Sequence, residues 1–174
     1  EDARRAQESG EMGEFGGDVS DALDKAANMY RGKVLLAFID DPAAHEAMSI
    51  LEGAYFDVHW SKDGRQAMND FFLKEGDIDA ILVQRDMPLM DALAITAKVR
   101  EFEKRERQQA AAKAAEMGLG RQPPTKRRPV ICYTDAVSPN DLKVYMKADM
   151  DGCVSIPVNK ASLLNTVRAA IPQH

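Results

Sequence analysis

The chain has 174 residues, of which 45% are hydrophobic and 29% charged. That length gives one domain, or one domain with appendages, and a single ordinary core, and the composition argues against wholesale disorder. The formal net charge of -5 does not favour direct nucleic-acid binding, because a duplex-binding surface needs net positive charge or one concentrated basic face. Aromatic residues make up only 6%, so aliphatic side chains and Met must build most of the core. No apolar run approaches the length of a membrane span. Cys132 and Cys153 sit inside apolar stretches and read as small buried hydrophobes, not as a disulfide framework. A soluble protein of a reducing compartment is expected, either cytoplasm or an organelle interior such as the chloroplast stroma. The first residue is Glu1, so a fragment or a processed chain is expected.

Residues 1–32 read as an N-terminal arm. Its first part is charged and Gly-rich and reads as disordered. Asp18 then caps a short helix with an apolar stripe at Val19, Leu23, Ala26, Ala27 and Tyr30. The domain proper spans residues 33–174. Val34–Ile39 is an all-apolar strand, as a buried parallel strand should be. Asp40-Asp41-Pro42 ends it, and Ala43–Leu51 reads as a helix. Phe56–Trp60 is a short strand, and Arg65–Lys74 has helical spacing through Ala67, Met68, Phe71 and Phe72. Ala80–Val83 is the third strand.

Ala92 begins a long helix, apolar on one face at Leu93, Ile95, Val99 and Phe102. From Glu103 to Glu116 it holds only Glu, Lys, Arg, Gln and Ala, strong helix formers with little hydrophobic face. That stretch is either a solvated extension or an arm that docks on another protein. Gly118, Gly120, Pro123 and Pro124 stop it. Arg121 and Lys126-Arg127-Arg128 give the following loop a basic cluster, read as a solvated face. Val130–Tyr133, Gly152–Ile156 and the helices Asn140–Lys147 and Lys160–Ile171 complete the chain. Strands and helices alternate throughout, which predicts a three-layer α/β fold with a mostly parallel sheet and right-handed crossovers. Ligand sites in such folds lie at the C-terminal ends of the strands.

The residues at those ends carry a resemblance. They are the Asp-Asp pair after strand one, Ser-Lys-Asp-Gly before helix two, and Asp-Met-Pro-Leu-Met-Asp after strand three. Thr134 closes strand four, Ala148-Asp149-Met150-Asp151-Gly152 leads into strand five, and Pro-Val-Asn-Lys follows it. In this order and spacing, residues 33–171 resemble a response-regulator receiver domain, most like those attached to hybrid histidine kinases. The resemblance implies a flavodoxin-like (CheY-like) fold with strand order 2-1-3-4-5. It also implies five side-chain roles. Two acids bind Mg²⁺, an Asp takes the phosphoryl group, a hydroxyl meets its oxygens, and a Lys pairs with it.

Carried onto this chain, the acid pair is Asp40 and Asp41 and the hydroxyl is Thr134. The phosphoacceptor position is Gln84, three residues before Met87-Pro88. The lysine position is Ile156, immediately before Pro157. A Gln amide cannot form the acyl phosphate that a carboxylate forms, and an Ile cannot neutralise phosphate. The two changes agree with each other and imply a degenerate pseudo-receiver that is not an enzyme. Asp40 and Asp41 either keep weak Mg²⁺ affinity or simply sit beside helix amides that tolerate them, and Thr134 either keeps its role or satisfies loop backbone. No other cofactor is implied. Asp86 could turn inward as a substitute acceptor, although the register set by Met87-Pro88 argues against it. Arg85 places a cation beside the former phosphate site, either paired with Asp40, Asp41 or Asp86 or pointing to solvent. Three histidines far apart in the pattern suggest no metal cluster.

The family's usual partner surface maps here to Leu142, Tyr145, Met146 and the outer face of Lys160–Ala170, and an exposed Trp60 could add an anchor. The expected function is a non-catalytic interaction module, regulatory or structural. Its protein partners would be met in a larger assembly through that surface, the N-terminal arm and the 103–128 extension. The alternatives are an atypical phosphorylatable receiver of a two-component system or phosphorelay, and the regulatory domain of a DNA-associated response regulator.

Overall fold

The computed structural model describes Val19, Asp21, Ala22 and residues 31–74, 76–122 and 124–171. The chain divides into two units, Glu1–Arg31 and Gly32–His174. In the first, Val19, Asp21 and Ala22 are helical. The rest of the expected arm helix lies outside the described residues.

In the second unit strands and helices alternate from end to end. The strands are β1 (Gly32–Ala37), β2 (Phe56–Ser61), β3 (Ala80–Gln84), β4 (Val130–Thr134) and β5 (Gly152–Ser155). The helices are α1 (Pro42–Gly53), α2 (Gly64–Leu73), α3 (Ala92–Glu116), α4 (Pro139–Lys147) and α5 (Lys160–Ala170). The sheet is parallel throughout, in the order β2-β1-β3-β4-β5. This is the flavodoxin-like, CheY-like architecture expected from the sequence.

Alternate residues of each strand face opposite layers. Leu36, Phe38 and Leu82 meet α1 and α5 through Ala44, Leu51, Leu163 and Val167. Leu35, Ala37 and Val83 meet α2, α3 and α4 through Phe71, Ile95, Val99 and Tyr145. The inner strands are apolar without interruption because helices cover both their faces. Each helix starts with a short polar cap. Asp41, Asp63, Asp91, Ser138 and Asn159 each accept a first-turn backbone N–H, which satisfies a donor that no carbonyl of the helix can reach.

All five strands differ from their expected limits, β2, β3 and β4 by one added residue at the C-terminal end. The first was expected over Val34–Ile39 but spans Gly32–Ala37, because Asp79 holds its start through the Lys33 N–H at 2.8 Å and the Ile39 N–H turns to a side chain at its end. The fifth stops at Ser155, since Pro157 has no N–H to continue the ladder.

The larger correction concerns the charged loop. The 103–128 segment does not begin as a solvated extension, since Glu103 and Arg128 are 2% and 3% exposed. The Glu103 carboxylate accepts the Arg128 backbone N–H at 2.7 Å and also pairs with Arg100. The Arg128 guanidinium donates to the Gly76 carbonyl at 2.9 Å, pairs with Glu106 and lies 5.3 Å above the Phe102 ring. Arg127 bonds Asp149 and Asp151, and Lys126 bonds Asp79 at 2.7 Å. The basic cluster is spent on intramolecular carboxylates because the loop must return to the start of β4, and a desolvated Arg requires partners. Beyond Glu106 the helix is the polar rod its composition suggests, with Ala114 buried. Among the described residues no helix is long and apolar enough to cross a membrane.

Among the described residues, one buried side-chain polar atom is left without a partner. The Tyr133 hydroxyl makes no hydrogen bond, while its ring packs 4.7 Å from that of Phe38. Tyr133→Phe should therefore raise stability by about 1 kcal/mol, since an unsatisfied buried hydroxyl costs about that much or more. Urea denaturation checks this as a higher midpoint at an unchanged slope. A lower midpoint would mean that the hydroxyl is bonded.

Candidate functional site

The C-terminal ends of β1, β3, β4 and β5 gather the residues singled out in the sequence. Asp41 follows β1 and caps α1, its carboxylate accepting the Ala44 N–H at 3.0 Å. Asp40 lies 3.1 Å from His45 Nε2 and 3.6 Å from Lys62 Nζ. Lys62 in turn sits 5.2 Å above the Trp60 ring, whose edge-on neighbour is His45. The Trp60 indole donates to the Phe38 carbonyl at 3.0 Å and packs on the α1 side of the core. Trp60 is thus half-buried and already partnered, not the exposed anchor considered from sequence.

Gln84 closes β3. Its side-chain carbonyl accepts the Ile39 N–H at 3.0 Å, so a neutral amide ties the end of β3 to the segment just before the acid pair. Gln84 shares strand parity with Leu82, which faces α1 and α5. Arg85 shares parity with Val83 and so faces α4. That alternation turns Arg85 away from Asp40 and Asp41, two of the partners weighed for it from sequence. Its guanidinium lies 4.0 Å from Asp86, 3.9 Å from Asp91 and 5.7 Å from the Tyr145 ring centre. The Asp86 side chain is 95% exposed.

Thr134, at the end of β4, is buried and accepts the Ala136 N–H through Oγ1 at 3.0 Å. It satisfies loop backbone, one of the two roles weighed from sequence. Tyr145 was placed on the outer surface of α4 and instead points inward, 4% exposed. Its hydroxyl donates to the Ala136 carbonyl at 2.8 Å. Burial pushes the phenol up against the opposing pull of Thr134 and Arg85, so it remains a neutral donor. Tyr145, Ala136, Thr134 and Arg85 thereby join α4 to the ends of β3 and β4. Ile156 follows β5, exposed at the mouth, with its N–H on the Thr134 carbonyl at 3.1 Å. Leu142 and Met146 are exposed on a neighbouring face of α4, Met146 to 76%.

This donor set does not fit a resident Mg²⁺. A hard cation wants several oxygen ligands, carboxylates foremost. Here Asp41 caps a helix, Asp40 is shared by two nitrogen bases, and the third position holds an amide. Among the described residues no group of three or more His, Cys, Asp or Glu is placed to hold a metal.

Two contributors escaped the sequence reading. His45 stands beside Asp40 because α1 begins immediately after the acid pair, so its first turn reaches back over that pair. The inward role of Tyr145 was signalled by the spacing Asp141, Tyr145, Ala148, a face distinct from that of Leu142 and Met146.

No family model matches the sequence, and no curated protein matches it either. Solved structures do match the fold. A response regulator receiver domain protein from Clostridium thermocellum aligns with a TM-score of 0.63 and 15% identity, over 81% of this chain and 94% of that one. The chemotaxis response regulator CheY4 of Vibrio cholerae aligns at 0.58 and 20% identity, over 80% and 98%. The receiver domain of a sensor histidine kinase from Pseudomonas aeruginosa, with a magnesium ion coordinated in its active-site cleft, aligns at 0.59 and 20% identity, over 79% and 95%. Likeness at these identities shows a shared fold.

Proposed function

We propose that this chain is a pseudo-receiver, a non-catalytic protein-interaction module that serves a larger assembly in a regulatory or structural role. The observation that carries this reading is the side chain at the end of β3. Gln84 offers an amide, not a carboxylate, and that amide is committed to the Ile39 N–H. An amide oxygen is too weak a nucleophile to take a phosphoryl group and gives no stable acyl phosphate. Three further features agree. Ile156 supplies no countercharge, Asp86 is solvent-exposed beside Arg85, and Asp40 and Asp41 are occupied by His45, Lys62 and the α1 N-terminus.

A module without a phosphorylation switch keeps its partner face in one arrangement. The inward Tyr145 and its bond to Ala136 favour this, since they fasten α4 to the strand ends. The face left for a partner is then Leu142 and Met146 of α4, both exposed and one helical turn apart, with the outer side of α5. The polar rod beyond Glu106 offers a second contact. The DNA-associated alternative draws no support from the basic cluster, whose Lys126, Arg127 and Arg128 charges are already paired.

Titration with Mg²⁺ and beryllofluoride, followed through the one tryptophan of the chain, Trp60, tests this function. The wild-type chain should give no response. The double variant Gln84→Asp, Ile156→Lys should respond, because it regains the metal-binding carboxylate and the phosphate-pairing ammonium. A saturable wild-type response would overturn the proposal.

A further inference from the structure

Cys132 and Cys153 lie well apart in the sequence, yet the fold sets them face to face. Cys132 of β4 and Cys153 of β5 are direct partners in the parallel register. Neighbouring strands lie about 4.8 Å apart, within the Cα spacing of roughly 4.4–6.8 Å that a disulfide spans. Both side chains project to the same layer, packed with Tyr145 and Met150. Their environments differ. Cys132 is fully buried on an inner strand, whereas Cys153 is half-buried on the edge strand. They are the only two cysteines of the chain, and the candidate site uses neither.

We propose that Cys132 and Cys153 form an oxidisable dithiol, in which a hydroperoxide oxidises Cys153 and Cys132 then closes an intramolecular disulfide between β4 and β5. The exposed edge of the sheet fixes the order, since Cys153 is the thiol a small oxidant can reach. The electrostatics of the pair agree with that order. The interaction between the two sulfurs holds the Cys153 thiol below its ordinary value, while the same interaction and burial push the Cys132 thiol up. The proton stays on the buried sulfur and the charge develops on the accessible one.

The chemistry balances with hydrogen peroxide as oxidant. The Cys153 thiolate attacks one peroxide oxygen. The O–O bond breaks, an S–O bond forms, and hydroxide leaves and takes a proton as water. The Cys132 sulfur then attacks the sulfenic sulfur. The S–S bond forms, the S–O bond breaks, and the thiol proton departs with the hydroxyl as a second water. Two thiols lose two electrons and one peroxide gains them. The bond would fasten the edge strand beside α4. This inference stands independently of the proposed partner.

The test treats the full chain with hydrogen peroxide, alkylates remaining thiols, and maps the peptides by mass. The wild-type protein should lose two hydrogens, resist alkylation at both cysteines, give a cross-linked peptide pair, and revert with dithiothreitol. Cys132→Ala should accumulate a Cys153 sulfenic acid that a 1,3-dione probe captures. Cys153→Ala should oxidise at Cys132 at least about tenfold more slowly, since the remaining thiol is buried and protonated, with far-UV circular dichroism confirming both folds. Disulfide-linked dimers, a stable wild-type sulfinic acid at Cys153, or thiols unchanged at peroxide levels that oxidise free cysteine would each overturn the proposal.

Discussion

Arg128→Met should lower the unfolding free energy by about 3 kcal/mol, the lower end of what breaking a buried ion pair costs. Met retains most of the apolar stem, so the loss isolates the guanidinium. That group bonds the Gly76 carbonyl and Glu106 and stacks over Phe102 and Phe71. Glu106 is half-buried and can regain some water, which keeps the cost from rising further. The Gly76 carbonyl keeps the Ile78 N–H at 2.8 Å but loses its guanidinium partner in a crowded corner, where the Arg128 and Phe102 side chains leave no room for a Cβ on Gly76. Urea unfolding measures the difference, and the double variant Arg128→Met, Glu106→Met should recover part of it, because the two sites interact. A loss below about 1 kcal/mol, the ceiling for an exposed pair, would mean that the guanidinium is hydrated. The same contacts bear on the extension. Removing all of residues 103–128 would delete Glu103 and Arg128 with it. A deletion meant to probe partner binding therefore belongs between Arg107 and Gln122, which already touch through a 3.1 Å hydrogen bond.

Gly64→Ala should cost a comparable amount, about 3 kcal/mol and so roughly 10 °C in melting temperature for a domain of this size. A Cβ on Gly64 would lie 1.9 Å from the Met90 carbonyl oxygen and 2.6 Å from the Met90 Cβ. The obstacle includes backbone, which cannot rotate aside as a side chain can. The Gly64 N–H also donates to the Pro88 carbonyl at 3.1 Å, so the start of α2 and the loop after β3 hold each other. Alanine's better helix propensity returns at most about 1 kcal/mol. Thermal unfolding followed by circular dichroism reads the effect. A melting temperature within about 2 °C of wild type would show that the loop yields easily. The contact also explains why Ser-Lys-Asp-Gly stands before α2, a motif that marks the turn from the sequence without giving its reason.

The architecture was legible because it is written within single elements. Val34–Phe38 and Ile81–Val83 are apolar without interruption, which only a strand covered on both faces tolerates. Asp40-Asp41-Pro42 marks the change from β1 to α1, and the Glu, Lys, Arg, Gln and Ala stretch gave the full length of α3. The misreadings lie between elements. Arg128 finds its carbonyl partner at Gly76 and its carboxylate at Glu106. No periodicity within the loop encodes either distant contact. Arg85 could have been oriented by counting parity from Val83, and Tyr145 by the face it shares with Ala148. The pairing of Cys132 with Cys153 depends on the register of β4 against β5, which the strand sequences alone leave open.

The central claim is that no side chain here accepts a phosphoryl group. Intact-mass spectrometry of the full chain after incubation with Mg²⁺ and acetyl phosphate tests it most directly. The account expects an unchanged mass, under conditions in which a receiver with an Asp at the end of its third strand gains a phosphoryl group. A phosphoryl adduct on the wild-type chain, mapped to Asp86, Asp40 or Asp41, would contradict it and make the protein a live switch.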